Sequence, residues 1–331
     1  MARSRPPGLH DVARLAGVSY QTVSRVINGS PRLRPETKAR VEAAIAELGY
    51  RPNLAARALA TNRPHLIGVI LTGPHLYGPT SIHEAVATAA KAAGWFCGSV
   101  RLPEMTDGSL AEALDFLSAQ QAAIVIIAGQ QDVIARARAQ ATSVSLVVVE
   151  GDLSGAADAV GVDSYRGGYL ATRHLLELGH QVVGHVAGPR TWAEAQARWT
   201  GWRDALTDAG LDAGPLATGD WTAASGYAAG QRLARSRATA LFVANDEMAI
   251  GVLQALHDAG RRVPDDISVV GFDDMPEAAY LLPPLTTMRQ DFAEVGQRVI
   301  DLLSDQFSGD PHEQQLVAPE LVVRRSTAPP G

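Results

Sequence analysis

Residues 9–29 read LHDVARLAGVSYQTVSRVING, and the fold of the first sixty residues follows from that stretch. Val12, Ala13, Leu15 and Ala16 put an apolar stripe on a first short helix. Gly17 then permits a sharp turn, and Ser19 stands at the N-cap of a second helix. That helix runs from Tyr20 to about Asn28 and stops at Gly29. On it Val23, Val26 and Ile27 share one face. Tyr20 and Ser24 lie four residues apart, as do Gln21 and Arg25, and these polar side chains share the opposite face. Two short helices joined through a glycine turn, with donors and acceptors along the second, describe a helix-turn-helix. Arg25 can grip guanine O6 and N7 with both arms, and Gln21 can pair with adenine. An ordinary surface hairpin with a solvated polar face fits the same pattern.

Two neighbouring stretches narrow that choice. Pro35, with Glu36 and Thr37 behind it, opens a third helix over ETKARVEAAIAELG, where Val41, Ile45 and Leu48 form a buried stripe. Asn53 then caps NLAARALA (53–60), which is too short to hold as a helix by itself. Charge follows the same division. Residues 1–63 carry eleven Lys and Arg against four acids (Asp11, Glu36, Glu42, Glu47), which leaves 18 against 31 for the remainder. A basic headpiece on an acidic body points to nucleic acid as a partner of the smaller part. The 331 residues suit two or three domains. No apolar run is long enough for a bilayer, MARSRPPG lacks a secretory apolar core, and the lone Cys97 allows no disulfide framework. The chain is therefore expected to be cytoplasmic, without a membrane partner.

Beyond Pro64 the pattern turns to alternation. LIGVIL (66–71), 95–100, AAIVII (122–127) and LVVVE (146–150) are apolar strands separated by helices over 80–93, 110–119 and 131–140. After a short strand at 159–163 the cycle restarts with helices ending at Leu178, at 192–209, 222–235 and 247–258. The strands between them are VVGHVA, LFVAND and ISVVGFDD, and TTMRQDF leads into a last helix that reaches about Phe307. Short, fully apolar strands between helices mean parallel strands buried on both faces, here in two doubly wound halves. The expected class is thus α/β with an all-α headpiece. Ligands of such sheets bind beyond the strands' carboxyl ends. That rule selects Leu76, Pro79, Glu150, Asn245 with Asp246, and Asp273 with Asp274, joined by Arg198 and Trp221 from the second half. Carboxylates, amides and a guanidinium suit sugar hydroxyls, and an aromatic face suits a pyranose. Asp246 fits a helix N-cap at least as well as a ligand contact, and Trp221 fits simple packing.

The order DVARLAGVSYQTVSRVIN…VEAAIAELGYRPNLAARALA resembles the DNA-binding headpiece and hinge of the lactose-repressor (LacI/GalR) family. GDWTAASGY, VANDEMAIG, DISVVGFDD and PPLTTMRQDF extend the likeness, closest to the family's lactose-type members, across nearly the whole chain. The resemblance implies a helix-turn-helix domain over 1–52, a hinge helix and linker over 53–63, and a sugar-binding and dimerisation domain over 64–331. That last domain would have the two lobes of a periplasmic binding protein. One lobe would span about 64–162 and 291–320, the other about 163–290 and 321–328. It further implies DNA contacts from Ser19, Tyr20, Gln21, Ser24, Arg25, Asn28, Asn53, Ala56 and Leu59, with the Leu59 pair wedged into the minor groove. Effector contacts would come from Leu76, Pro79, Ile82, Arg198, Trp221, Asn245, Asp273, Gln290 and Phe292. Glu150, where the family's lactose-type members have the shorter Asp, joins them, and Glu194 replaces a Ser. Arg34 replaces the usual Ser or Thr cap of the third helix.

Several chemistries have no candidate residues. No GxxxxGK[ST] or strand-following GxGxxG is present, no serine sits in GxSxG, and His174, His180 and His185 match no zinc spacing. No cofactor, metal or catalytic residue is expected. A sugar-modifying enzyme or a plain sugar receptor would leave residues 1–63 without a use. The expected protein is a homodimeric repressor that binds a palindromic operator in double-stranded DNA. A small sugar effector, most simply a galactoside, would release it. A different glycoside or a corepressor remains open.

Overall fold

The computed structural model describes residues 7–27, 33–50, 66–73, 75–102, 106–120, 122–141, 144–151, 158–308 and 315–331. Asn28, Asn53, Ala56, Leu59 and the hinge therefore lie outside the described residues. Two compact units are present, Met1–His65 and Leu66–Gly331.

In the first unit α1 spans Leu9–Ala16, α2 Tyr20–Ile27 and α3 Pro35–Leu48. Gly17 closes α1 at φ 64°, a conformation that suits glycine. Ser19 Oγ accepts the Thr22 N–H at 3.2 Å, the expected N-cap of α2. Ser19→Ala should lower the stability of this unit by about 1 kcal/mol, read as faster amide exchange along α2. α3 opens without a side-chain cap at Arg34, with Pro35 in its first turn. Val12, Ala13, Ala16, Val23, Val26, Val41, Ala44 and Tyr50 form the core. Two expectations change here. Leu15 is 45% exposed, because residues 12, 13 and 16 already define the inward arc of α1 and position 15 falls outside it. On α3 the residue buried beside Val41 is the small Ala44, while Ile45 and Leu48 are only half-buried.

The second unit contains two six-stranded sheets. The first uses β1 (Leu66–Thr72), β2 (Phe96–Leu102), β3 (Ala123–Ile127), β4 (Leu146–Val149), β5 (Ala159–Val162) and β11 (Gln315–Val317) in the order β11-β5-β4-β3-β1-β2. The second uses β6 (Val183–Ala187), β7 (Leu216–Thr218), β8 (Ala240–Val243), β9 (Ser268–Asp273), β10 (Thr286–Arg289) and β12 (Glu320–Val322) in the order β12-β10-β9-β8-β6-β7. Every pairing is parallel except β10 with β12.

The apolar runs are buried on both faces, as their composition requires. Ile67, Val69 and Leu71 of β1 enter the core under α4 (Tyr77–Ala92) and α11 (Phe292–Ser308). Ile70 enters the opposite core with α5 (Asp107–Ser118) and α6 (Gln131–Gln140). In the second sheet α7 (Ser164–Glu177) and α8 (Ala193–Asp208) cover one face. The other face lies under α9 (Ala223–Leu233) and α10 (Asp246–Asp258). The chain passes between sheets after β5, returns after β10 and passes again between β11 and β12. The three-residue strands β7, β11 and β12 carry no apolar run that would reveal them, and their pairing depends on neighbours distant in sequence.

Candidate functional site

The carboxyl ends of both sheets border one cleft, lined by residues of both lobes. From the first lobe, Leu76, Pro79 and Ile82 come from the start of α4, and Glu150 follows β4. From the second lobe come Arg198 on α8, Trp221, Asn245 and Asp273 at strand ends, with Gln290 after β10. The start of α8 adds Trp192 and Glu194.

Each polar group has a defined setting. Arg198 Nη1 donates to the Ala244 carbonyl at 2.6 Å, and the guanidinium lies 3.7 Å above the Phe272 ring. Its Nε donates to Ser164 Oγ at 3.4 Å. Asn245 caps α10, with Oδ1 accepting the Met248 N–H at 3.0 Å and Nδ2 donating to the Trp221 carbonyl at 3.1 Å. Gln290 Nε2 donates to Asp273 Oδ1. Burial pushes the Asp273 carboxyl up to about 7, against the pull of the Arg198 guanidinium and the Gln290 amide. Burial, followed by the neighbouring Glu194 carboxylate, pushes Glu150 up to about 8, with Arg198 pulling the other way. Glu194 Oε1 accepts the Gly151 N–H at 2.9 Å, and the Glu194 carboxyl is hydrogen-bonded to that of Glu150. Trp221 meets Trp192 edge-on at 5.7 Å, and its buried Nε1 is without a partner among the described residues.

Backbone strain gathers at the same place. Four described residues other than glycine have positive φ, and three of them, Glu150 (68°), Trp221 (78°) and Asp273 (123°), line the cleft. Non-glycine residues hold this conformation only where surrounding structure imposes it, commonly at a binding site.

Two expectations are corrected. Phe292 is not on the cleft wall. Its ring turns edge-on to Tyr77 at 5.9 Å and packs against the core of the first lobe. Asp246 is not the cap of α10, a role taken by Asn245. Asp246 is fully buried, accepting Thr287 Oγ1 at 2.6 Å and the Met275 N–H at 3.0 Å. Trp192 and Glu247, also on the wall, were not selected by reading strand ends because they stand within helix starts. Among the described residues no cluster of His, Cys, Asp and Glu could hold a metal ion. His185 is stacked between Phe242 and Trp202, and burial lowers it to about 4.

On the first unit, Ser19, Tyr20, Gln21 and Arg25 form an exposed edge of α2 opposite buried Val23 and Val26, with Ser24 half-buried among them. Tyr20 stacks on His10 at 4.9 Å.

Residues 8–53 match the family described as bacterial regulatory proteins, lacI family, and residues 172–327 match a periplasmic binding protein-like domain. The lactose operon repressor of Escherichia coli (strain K12) is 37% identical over 99% of this chain and 92% of its own length. This chain belongs to the lacI family. The HTH-type transcriptional repressor PurR of Pasteurella multocida (strain Pm70) is 33% identical over 96% of this chain and 98% of its own. A crystal structure of the Lac repressor dimer bound to operator and the anti-inducer ONPF superposes with a TM-score of 0.86 at 34% identity. That match covers 98% of this chain and all of the other. As a lacI-family member the chain is a DNA-binding transcriptional regulator, not an enzyme, and the cleft lies in its regulatory domain. No helix among the described residues is long and apolar enough to cross a membrane.

The raised carboxyls of this lacI-family cleft make its stability depend on pH. Glu150 keeps a proton up to about 8 when folded, whereas an ordinary glutamate loses it near 4.5. The folded state therefore binds more protons between those values, and stability falls as pH rises through that window, by up to about 1.4 kcal/mol per unit. Glu150→Gln stays neutral throughout. Its melting temperature should fall less than wild type between pH 6 and pH 8; equal slopes would exclude a protonated Glu150.

Proposed function

We propose that this regulator represses transcription in the cytoplasm as a homodimer, each α2 entering the major groove of one half of a palindromic operator. A small glycoside of the galactoside class, bound in the cleft, releases it. The observation that carries the reading is the pairing of two features in one lacI-family chain. One is an exposed Tyr20-Gln21-Arg25 edge on α2. The other is a cleft in which Arg198, Asn245, Asp273 and Gln290 present fixed donors and acceptors beside the Trp221 ring. Such a set matches a ring of hydroxyls with one apolar face. Hinge residues Asn53, Ala56 and Leu59, together with Asn28, complete the proposed DNA contacts; Leu59 enters the minor groove and folds with its neighbours on DNA. Effector binding in the cleft favours the lobe arrangement in which that ordering is no longer recovered.

Gel-shift titration of the full chain against its own upstream DNA, with galactosides, glucosides and purines added in turn, tests the proposal. Release by a galactoside supports it. Operator binding tightened by a purine would replace induction with corepression, the behaviour of a different type of effector. For the DNA half, Arg25→Ala should cost about 1–3 kcal/mol per half-site at one guanine while leaving effector affinity unchanged. Selection of binding sites by both proteins checks this, and identical site preferences would remove Arg25 from base reading.

A further inference from the structure

Asp273 closes β9 and Asp274 follows it, yet only Asp273 lines the cleft. Both residues hold positive φ, 123° and 56°. At 123° a side chain other than glycine's is rarely tolerated, so surrounding contacts must impose the turn. Asp274 supplies the anchor. Its side chain is only 7% exposed and receives two guanidiniums. Arg289 Nε donates to Oδ2 at 2.7 Å, and Arg324 Nη2 donates to Oδ1. Arg324 is itself fixed, with Nη1 on the Leu285 carbonyl at 2.8 Å and its backbone N–H on Thr286 Oγ1 at 2.9 Å. The Met275 N–H, donated to Asp246 Oδ2 at 3.0 Å, holds the far side of the turn.

The two arginines stand on different crossings of the chain between the lobes. Arg289 ends β10, just before the chain leaves for α11 in the first lobe. Arg324 follows β12, which the chain enters on its return from β11. Within the sheet Arg289 is the register partner of Asp273 on one side and of Glu320 on the other. Its Nη1 also lies 3.9 Å from the Glu320 carboxylate. One nearly enclosed carboxylate therefore joins the turn that carries a cleft acid to both crossings.

We infer that Asp274 is a positioning residue: clamped by Arg289 and Arg324, it holds Asp273 toward the effector and couples that placement to the crossings about which the lobes move. That role rests on the sugar-effector reading above and adds the contact through which occupancy is transmitted. A carboxylate held by a guanidinium on each oxygen is fixed in direction as well as distance. Hinge motion is absorbed by a few residues at element ends, which is where 289–290 and 323–324 stand. An effector bonded to Asp273 then differs in free energy between two lobe arrangements, the condition for any shift of population. Asn accommodates positive φ as Asp does, so Asp274→Asn removes the charge pairing and leaves the backbone preference in place.

The experiment compares the full wild-type chain with Asp274→Asn, Arg324→Met and Arg324→Lys. Amide exchange without ligand, read by mass spectrometry, comes first. Asp274→Asn and Arg324→Met should both exchange about tenfold faster over 273–275, 286–291 and 320–325, with β8 unchanged. Faster exchange only beside the substituted residue, or evenly through the lobe, overturns the clamp. Release of the chain's own upstream DNA is then titrated with methyl β-D-galactoside. The half-point should rise about tenfold, and release at saturation should fall to about half of the wild-type extent or less. Arg324→Lys keeps the charge without the fork and should recover part of both. A wild-type half-point and plateau in all three variants would leave the ion pairs a purely structural part and overturn the inference. A raised half-point with a wild-type plateau keeps the positioning of Asp273 and overturns its coupling to the crossings. If the galactoside does not release wild type, the galactoside reading fails and amide exchange decides the clamp. If Asp274→Asn does not fold, the Arg324 variants carry both measurements.

Discussion

Arg198→Ala should yield a protein that still binds operator and no longer responds to its effector. The guanidinium has three roles within the cleft. One arm holds the Ala244 carbonyl at the end of β8, and the plane rests on Phe272. Its charge also restrains the carboxyl of Asp273, which burial alone would push higher. Truncation removes the ligand bond, orphans a buried carbonyl and lets Asp273 take up its proton. Together these should cost about 3–5 kcal/mol of effector affinity, more than a hundredfold. Arg198→Lys keeps the charge without the fork or the flat stacking surface, and should recover only part of the loss. Effector titration of operator release by the two variants measures this. A wild-type response from Arg198→Ala would remove the residue from the site and, with it, the main polar anchor of the proposed ligand.

Much of this arrangement was legible in the chain. The continuous apolar runs at β1, β3, β4, β8 and β9 announced parallel strands covered on both faces, and the rule for strand ends then led to the cleft wall. Leu76, Glu150, Asn245 and Asp273 follow from position alone, because the residue after a buried parallel strand has nowhere to go but the cleft rim. Gln290 needed family likeness, since the mixed run TTMR ahead of it does not read as an apolar strand, and a helix interior gives Arg198 no positional signal. Phe292 shows where that aid ends. It stands at the head of α11, and its ring turns to Tyr77 and packs against the first-lobe core. Asp246 reads as a helix cap in the sequence, but its tertiary contacts with Thr287 and Met275 bury it and Asn245 takes the cap. The pairing of the Glu150 and Glu194 carboxyls is a property of packing and has no trace in composition or spacing.

The same packing makes Gly168→Ala a strongly damaging small substitution in the second lobe. Helices α7 and α8 touch backbone to backbone. A Cβ on Gly168 would lie 2.3 Å from the Arg198 carbonyl oxygen and 2.9 Å from the Arg198 Cα, and one on Gly201 would lie 2.2 Å from the Tyr165 carbonyl. Neither neighbour is a flexible side chain, so one methyl must drive the helices apart by about 1 Å, a displacement that close-packed interiors resist. The expected loss is about 2–4 kcal/mol of stability, at or above the upper end for overpacking because backbone must move. Since the point of contact is the backbone of Arg198 itself, effector affinity should also fall, by roughly tenfold or more, while α2 retains its residues for DNA. Gly98→Ala serves as the control. There a Cβ meets only the Phe96 ring at 3.8 Å, an ordinary contact on β2, and stability should change by less than about 1 kcal/mol. Denaturant unfolding followed by circular dichroism, with effector titration at a temperature where both variants are folded, separates the two effects. Gly168→Ala with wild-type stability would mean that α7 and α8 do not meet as closely as these distances require, and the fixed position of Arg198 would lose its structural cause.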